Sequence, residues 1–215
     1  REQSIFENAR VVFTMSSHVS RSVENDYGID RSRIHCARIG SNVAVPPATS
    51  LSDERYHAKR ILFVGVHWER KGGPQLVAAF KQVLRQHPDA HLTIIGCSPT
   101  VDVPNCTVLG KLPLDEIGKH YRSATVFCMP TRNEPFGVVF LEAFAHRLPI
   151  VSTDLGALPD LIQNGVSGYR VPPDDINELA ARIVELISSP GKCKEFGEAG
   201  FQHMQTHYTW DSTGV

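Results

Sequence analysis

Two turns in this sequence carry residue types able to do chemistry. The first, "FVGVHWERKGG" at 63–73, sets Arg70 and Lys71 beside Gly72 and Gly73, with Gly65 where the chain leaves an apolar run. Two cations next to the free N–H groups of a helix start, which Pro74 is suited to open, make a site fit for a phosphate. The same residues also describe a solvated loop with ordinary surface charges, and the spacing is neither a dinucleotide-binding G-x-G-x-x-G nor a P-loop. The second turn, "PTRNEPFGVVFLEA" at 130–143, puts Glu134 before a proline, hence in extended backbone. Gly137 stands at the start of the next helix, so the N–H groups of Phe136, Gly137, Val138 and Val139 are left for an anion or a sugar hydroxyl. Glu142 follows about one and a half turns into that helix, among Val138, Val139, Leu141, Ala143, Phe144 and Ala145. A carboxylate in such surroundings is costly unless it is strongly hydrogen-bonded. It reads either as half of a core ion pair or as the acceptor for a pair of ligand hydroxyls.

The other candidates point to structure. The carboxylates of "LDE" (114–116) and "PPDD" (172–175) fall where helices begin and favour the dipole there. There is no D-x-D and no His/Asp/Glu cluster with metal-ligand spacing, which leaves a metal-dependent mechanism unsupported. No G-x-S-x-G elbow is present, and His67, His120 and the histidines of "HMQTHY" read as surface or packing residues.

Elements must hold those two turns in place. From about residue 60, short β-branched runs alternate with longer amphipathic ones. Strands are expected at 60–66, 91–96, 106–110, 125–130, 149–153 and 168–173. Helices are expected over 73–87, where Leu76, Phe80, Val83 and Leu84 form one stripe, then over 113–124, 137–147, 157–165 and 175–189. Near-continuous apolar strands separated by helices imply an α/β fold, a Rossmann-like doubly wound parallel sheet covered on both faces. Such sheets bind ligands outside the carboxyl ends of their strands, where both turns lie.

Residues 1–45 read as a separate unit: a helical lead-in, a strand over 9–15, a helix from Ser17 to about Tyr27 and a strand over 33–40. A lone βαβ piece cannot bury both faces of its strands, so this unit is expected to be the tail of a preceding domain. Residues 46–58, rich in Pro and Ser, read as a linker, 59–207 as the main domain and 208–215 as a truncated segment. The chain starts at Arg1 with no methionine before Met15 and is read as a fragment of a longer protein.

With 215 residues, 41% of them hydrophobic, the chain can bury a real core. Lys and Arg number 22 against 23 Asp and Glu, a formal charge of -1 with no basic run, so nucleic acid is not an expected partner. Five widely spaced cysteines, mostly in apolar strand-like runs and without ligand spacing, read as reduced thiols. No apolar run approaches the roughly 20 residues of a membrane span.

Taken together these residues resemble the nucleotide-sugar-binding half of retaining glycosyltransferases of family 4, which have the two-domain GT-B architecture. The likeness rests on E-x7-E at Glu134 and Glu142, preceded by "FVG...RKGG" and followed by "G-x-x-x-D-L-I-x-x-G-x-x-G-x-x-V-P-P-x-D". It covers most of the chain, and "ENARVVFTMSSHVSRSVENDYGIDRSRIHCARIGSN" resembles the last elements of the acceptor-side domain. The resemblance implies that Glu142 binds ribose hydroxyls, that Glu134 lies near the transferred sugar and that Lys71, with Arg70, binds the diphosphate. It further implies that the amides around Phe136 to Val139 hold sugar and diphosphate oxygens, and that the segment Gly110, Lys111 and Leu112 passes the base. The chain departs from the family in having Val66 after the first glycine, where arginine is common, and "GALPD" in place of GG-x-x-E. The implied activity is transfer of a sugar from a nucleoside diphosphate sugar to a carbohydrate or lipid-linked acceptor, with retention and without metal or cofactor. The location it implies is cytoplasmic or peripheral at the inner membrane face. A related glycogen- or sucrose-synthase-like transferase, a sugar-nucleotide epimerase and a non-catalytic nucleotide-sugar-binding module are the alternatives. The fragment alone is expected to bind nucleotide and transfer little.

Overall fold

The computed structural model describes residues 2–38, 40 and 45–211. It opens with α1 (Glu2–Asn8), β1 (Val12–Thr14), α2 (Ser17–Tyr27) and β2 (Ile34–Cys36). β1 and β2 pair in parallel, Val12 opposite Ile34. Val12, Val23, Ile29 and Ile34 form a small core of their own. The outward side of β1 is bare, Phe13 being 72% exposed. The strand expected over 33–40 is shorter than its apolar pattern: it ends at Cys36, and Ile39 lies outside the described residues, as do 41–44 and 212–215.

As far as α7 the rest alternates as the pattern predicts: β3 (Arg60–Val64), α3 (Gly73–Gln86), β4 (His91–Ile95), β5 (Cys106–Gly110), α4 (Leu114–Ser123), β6 (Val126–Met129), α5 (Val138–Ala145), β7 (Ile150–Thr153), α6 (Leu158–Leu161), β8 (Gly168–Val171) and α7 (Ile176–Ile187); α8 (Pro190–His207) follows. Six strands form one all-parallel sheet in the order β5-β4-β3-β6-β7-β8. Every residue of β6 and β7 is buried, as a sheet covered on both faces requires. α3 packs on α7, and α5 on α8. Leu76, Phe80 and Val83 of the α3 stripe are fully buried, each contributing roughly 1.5–3 kcal/mol by leaving water. Asp175 caps α7 by accepting the Glu178 N–H at 2.9 Å. All five cysteines are free, with Cys36 exposed and Cys193 buried in a helix, not in a strand-like run.

α8 is the longest helix among the described residues and the element that periodicity did not reveal. Its buried side, Cys193, Phe196, Gly197, Gly200, Phe201 and Met204, includes two glycines. They allow close approach to α5: a Cβ at Gly200 would lie 2.2 Å from the Phe144 ring, and one at Gly197 would lie 2.1 Å from the Arg147 carbonyl oxygen. Gly200→Ala therefore overpacks the α5–α8 contact, and a loss of about 1–3 kcal/mol is expected in a denaturant titration. A neutral result would mean that α8 can shift away from α5 without cost.

Contacts among the described residues tie the early elements to the sheet. The Ser17 N–H and hydroxyl donate to the Asp160 carboxylate at 2.7 and 2.6 Å, a carboxylate set against the first turn of α2, where it is favoured. The Pro- and Ser-rich stretch read as a linker also carries short 3-10 turns at Ala48–Ser50 and Asp53–His57. Arg55 and Tyr56 in the second turn are buried. The Arg55 guanidinium donates to the carbonyls of His146 (2.8 Å) and Arg147 (3.2 Å) and to the Tyr56 hydroxyl (2.7 Å).

Candidate functional site

The strand order sets β3 beside β6, with the chain running outward from each in opposite directions across the sheet. That is the switch point at which doubly wound sheets leave a crevice beyond their strand ends. The turn after β3 holds Gly65, Arg70 and Lys71; the turn after β6 holds Glu134 and leads into α5.

Main-chain bonds lace the two turns together. The Arg70 carbonyl accepts from the Arg132 N–H at 2.8 Å and the Thr131 hydroxyl at 3.2 Å. The Arg70 guanidinium in turn donates to the Asn133 carbonyl at 3.1 Å. Lys71 Nζ meets Glu134 Oε2 at 2.5 Å, and Glu134 is only 4% exposed. The Ala157 N–H, from the loop after β7, donates to the Glu134 carbonyl at 3.0 Å and closes the far side. Gly65 lies against the lysine stem, its Cβ position 3.3 Å from Lys71 Cγ. The geometry thus gathers Gly65, Arg70, Lys71 and Glu134 into one cluster and makes an ion pair of two residues 63 positions apart.

Gly137 is the N-cap of α5, in the left-handed region at φ 95°. The first N–H groups of α5 have no intrahelical acceptor, and Val138 there is half exposed. The Phe136 side chain is buried, so that residue offers only its backbone.

Glu142 opens onto a second space. A cavity of about 890 Å³ is lined by Val138 and Glu142 of α5 and His146 at its C-cap, by Leu114, Asp115 and Tyr121 of α4, and by residues 45–47. The Tyr121 hydroxyl donates to Glu142 Oε2 at 2.9 Å. Burial pushes the Glu142 carboxyl above its ordinary value, opposed by that hydrogen bond. His146 stacks on the Tyr121 ring, with centroids 5.0 Å apart, and its Nδ1 lies 2.8 Å from the Glu142 carbonyl. Burial depresses the imidazole below its usual value.

Of the residues singled out in the sequence, Val138 and Glu142 line this cavity, whereas Lys111 and Leu112 lie just before α4 and outside its lining; Leu114 and Asp115 stand there instead. Sequence reasoning passed over Tyr121 and His146. The spacing 138, 142, 146 along α5 carried a signal for His146, but Tyr121 becomes visible only once α4 and α5 are known to be neighbours. Among the described residues no three His, Cys, Asp or Glu side chains converge in a way that could hold a metal ion. No helix there is long and apolar enough to cross a membrane.

Comparison with known proteins agrees with this architecture. The family model described as glycosyl transferases group 1 matches residues 58–189. The chain is 29% identical to the alpha-maltose-1-phosphate synthase of Mycolicibacterium smegmatis, over 97% of this chain and 62% of that protein. It is 28% identical to the D-inositol 3-phosphate glycosyltransferase of Corynebacterium urealyticum, over 99% of this chain and 56% of that protein. It thus spans somewhat more than half the length of these relatives. The structure of Anabaena HepE in complex with UDP superposes with a TM-score of 0.84 at 16% identity, covering 99% of this chain and 66% of that one, which is a likeness of fold. From the six-stranded sheet and the family match over 58–189, the chain belongs to the group 1 glycosyl transferases.

Proposed function

We propose that this chain supplies the donor-binding half of an enzyme that transfers a sugar from a nucleoside diphosphate sugar to an acceptor hydroxyl with retention of configuration. The observation that carries this reading is that the Lys71–Glu134 pair stands beyond the ends of β3 and β6, just before α5, the helix whose Val138 and Glu142 line the neighbouring cavity. Residues 59–207 form the donor domain in this reading, and 1–45 belong to an acceptor-side domain, which would also carry any association with the inner membrane face. The acceptor is a carbohydrate or a lipid-linked carbohydrate, and the donor is the only nucleotide required, without metal or cofactor.

The chemistry follows from charge. As the sugar–oxygen bond breaks, negative charge gathers on the departing diphosphate, and preorganised donors aimed at that charge lower the barrier. The Lys71 ammonium has three donors, one of them on Glu134, which leaves two for phosphate oxygens. The first amides of α5 add oriented N–H groups at the positive end of its dipole. Glu134 holds the lysine and stands beside the transferred sugar. The Glu142 carboxylate accepts from the ribose hydroxyls, with the base lying toward the start of α4 and residues 110–112. Retention follows from same-face attack with the leaving phosphate as the base. HepE in complex with UDP is a fold neighbour consistent with a nucleotide in this crevice.

The test is thermal unfolding of the full-length protein with UDP-, GDP- and ADP-sugars, followed by turnover and product-anomer assays. One donor is expected to stabilise the native state by about 2.7 kcal/mol at a hundredfold excess over its Kd. Glu142→Ala should remove most of that stabilisation and sharply reduce turnover. Binding without turnover would leave a nucleotide-sugar-binding module, and wild-type activity in Glu142→Ala would refute its role.

A further inference from the structure

One buried polar group near the cavity has no part in the scheme above: the Tyr121 hydroxyl. Tyr121 is 2% exposed and held between the His146 ring and, at a centroid distance of 6.0 Å, the Phe127 ring. A phenylalanine would fill that space without desolvating a hydroxyl, and desolvation is costly unless a partner is present. The partners here are Glu142 Oε2 at 2.9 Å and, at 3.5 Å, the Val139 carbonyl. Among the described residues Glu142 Oε1 has no hydrogen-bond partner, and Glu142 lines the cavity.

We propose that Tyr121 is a positioning residue for donor binding: its phenol fixes one oxygen of the Glu142 carboxylate and so presents the other to the vicinal hydroxyls of the donor's ribose. This rests on the reading that Glu142 accepts those hydroxyls. A glutamate has three side-chain torsions, and ordering it only when ligand arrives would weaken binding. Tyr121 does the ordering beforehand, from a ring that packing on both sides already fixes. Burial and the neighbouring carboxylate hold the phenol well above its ordinary value, so it stays a donor across the working pH range. Its hydrogen bond also favours the ionised form of Glu142 against the effect of burial. Among the described residues the other titratable groups lining the cavity with Glu142 are Asp115 and Arg122 on α4 and His146 at the C-cap of α5, and residues 45–47 and Ser50 add none.

The experiment is calorimetric titration of the full-length protein with UDP and GDP, using the tighter ligand for wild type, Tyr121→Phe, Glu142→Ala and the double variant. Tyr121→Phe is expected to weaken binding about tenfold in the wild-type background, as for loss of a hydrogen bond to a charged group, and not at all in the Glu142→Ala background. The same penalty should vanish when the 2′,3′-dideoxy nucleotide is titrated. Loss of the phenol also removes a contact that favours the carboxylate. The pH at which binding fails as Glu142 protonates should therefore lie higher in Tyr121→Phe than in wild type, with Asp115, Arg122 and His146 common to both. An equal loss in both backgrounds, or an equal loss with the dideoxy nucleotide, would mean that Tyr121 acts through packing, and overturns the proposal. Unchanged affinity in Tyr121→Phe alongside weakened binding in Glu142→Ala overturns it while leaving the role of Glu142 intact. Unchanged affinity in Glu142→Ala overturns that role and this proposal with it.

Discussion

Lys71→Ala in the full-length enzyme is expected to cut kcat for sugar transfer by about 100- to 1000-fold and to destabilise the fold by about 3–5 kcal/mol. The two losses have different origins. The first removes a cation from the place where, in the proposed reaction, the diphosphate's charge develops. The second arises because Glu134, 4% exposed and 2.5 Å from the ammonium, is left as an unpaired carboxylate between two laced turns. Breaking a buried pair by removing one partner is far costlier than removing both. Lys71→Ala/Glu134→Ala should therefore recover much of the unfolding free energy in a denaturant titration while transfer stays low. If the double variant recovered transfer together with stability, Lys71 would be a structural residue and its proposed role at the phosphate would fall.

Gly72→Ala should be comparably severe, for a steric reason. Gly72 is the N-cap of α3 at φ 74°, and a Cβ there would stand 1.8 Å from the Pro130 carbonyl oxygen. Pro130 begins the second turn, which is bonded to Arg70, so it cannot retreat without separating the two turns that build the crevice. Gly165 has the same φ of 74° and nothing within 4 Å of its Cβ position. Gly165→Ala should consequently cost only the left-handed penalty of about 1–2 kcal/mol, whereas Gly72→Ala should cost more than that and abolish nucleotide binding. Thermal unfolding and UDP or GDP titration of the two variants side by side isolate the steric part. Equal losses would show that the Pro130 loop yields freely.

The comparison between sequence and structure divides along the range of the interactions involved. The inner strands β6 and β7 were legible because "TVFCM" and "PIVST" are runs buried on both faces, and burial of that kind leaves no alternation to misread. The two candidate turns were legible from topology, since ligands gather at strand ends in such sheets. What local pattern could not convey was pairing across long separations. Glu134 and Lys71 each looked like a group waiting for a ligand, and only the adjacency of β3 and β6 makes them partners. Tyr121 looked like an ordinary aromatic of an amphipathic helix until α5 was set beside it. α8 escaped because Gly197 and Gly200, which weaken an amphipathic signal, are the residues that let it dock. The Pro/Ser-rich stretch before the sheet concealed Arg55, whose acceptors belong to a loop about ninety residues away.

That arginine fixes the segment before the sheet to the end of α5. Freeing residues 53–58 from the sheet would strip a buried guanidinium of two main-chain acceptors at once, so this segment is held to the sheet. Arg55 also grips the exit end of α5, whose entry end faces the crevice and whose middle carries Glu142. A helix of eight residues is thereby held just past its C-terminal end, at the opposite end from the amides that face the crevice.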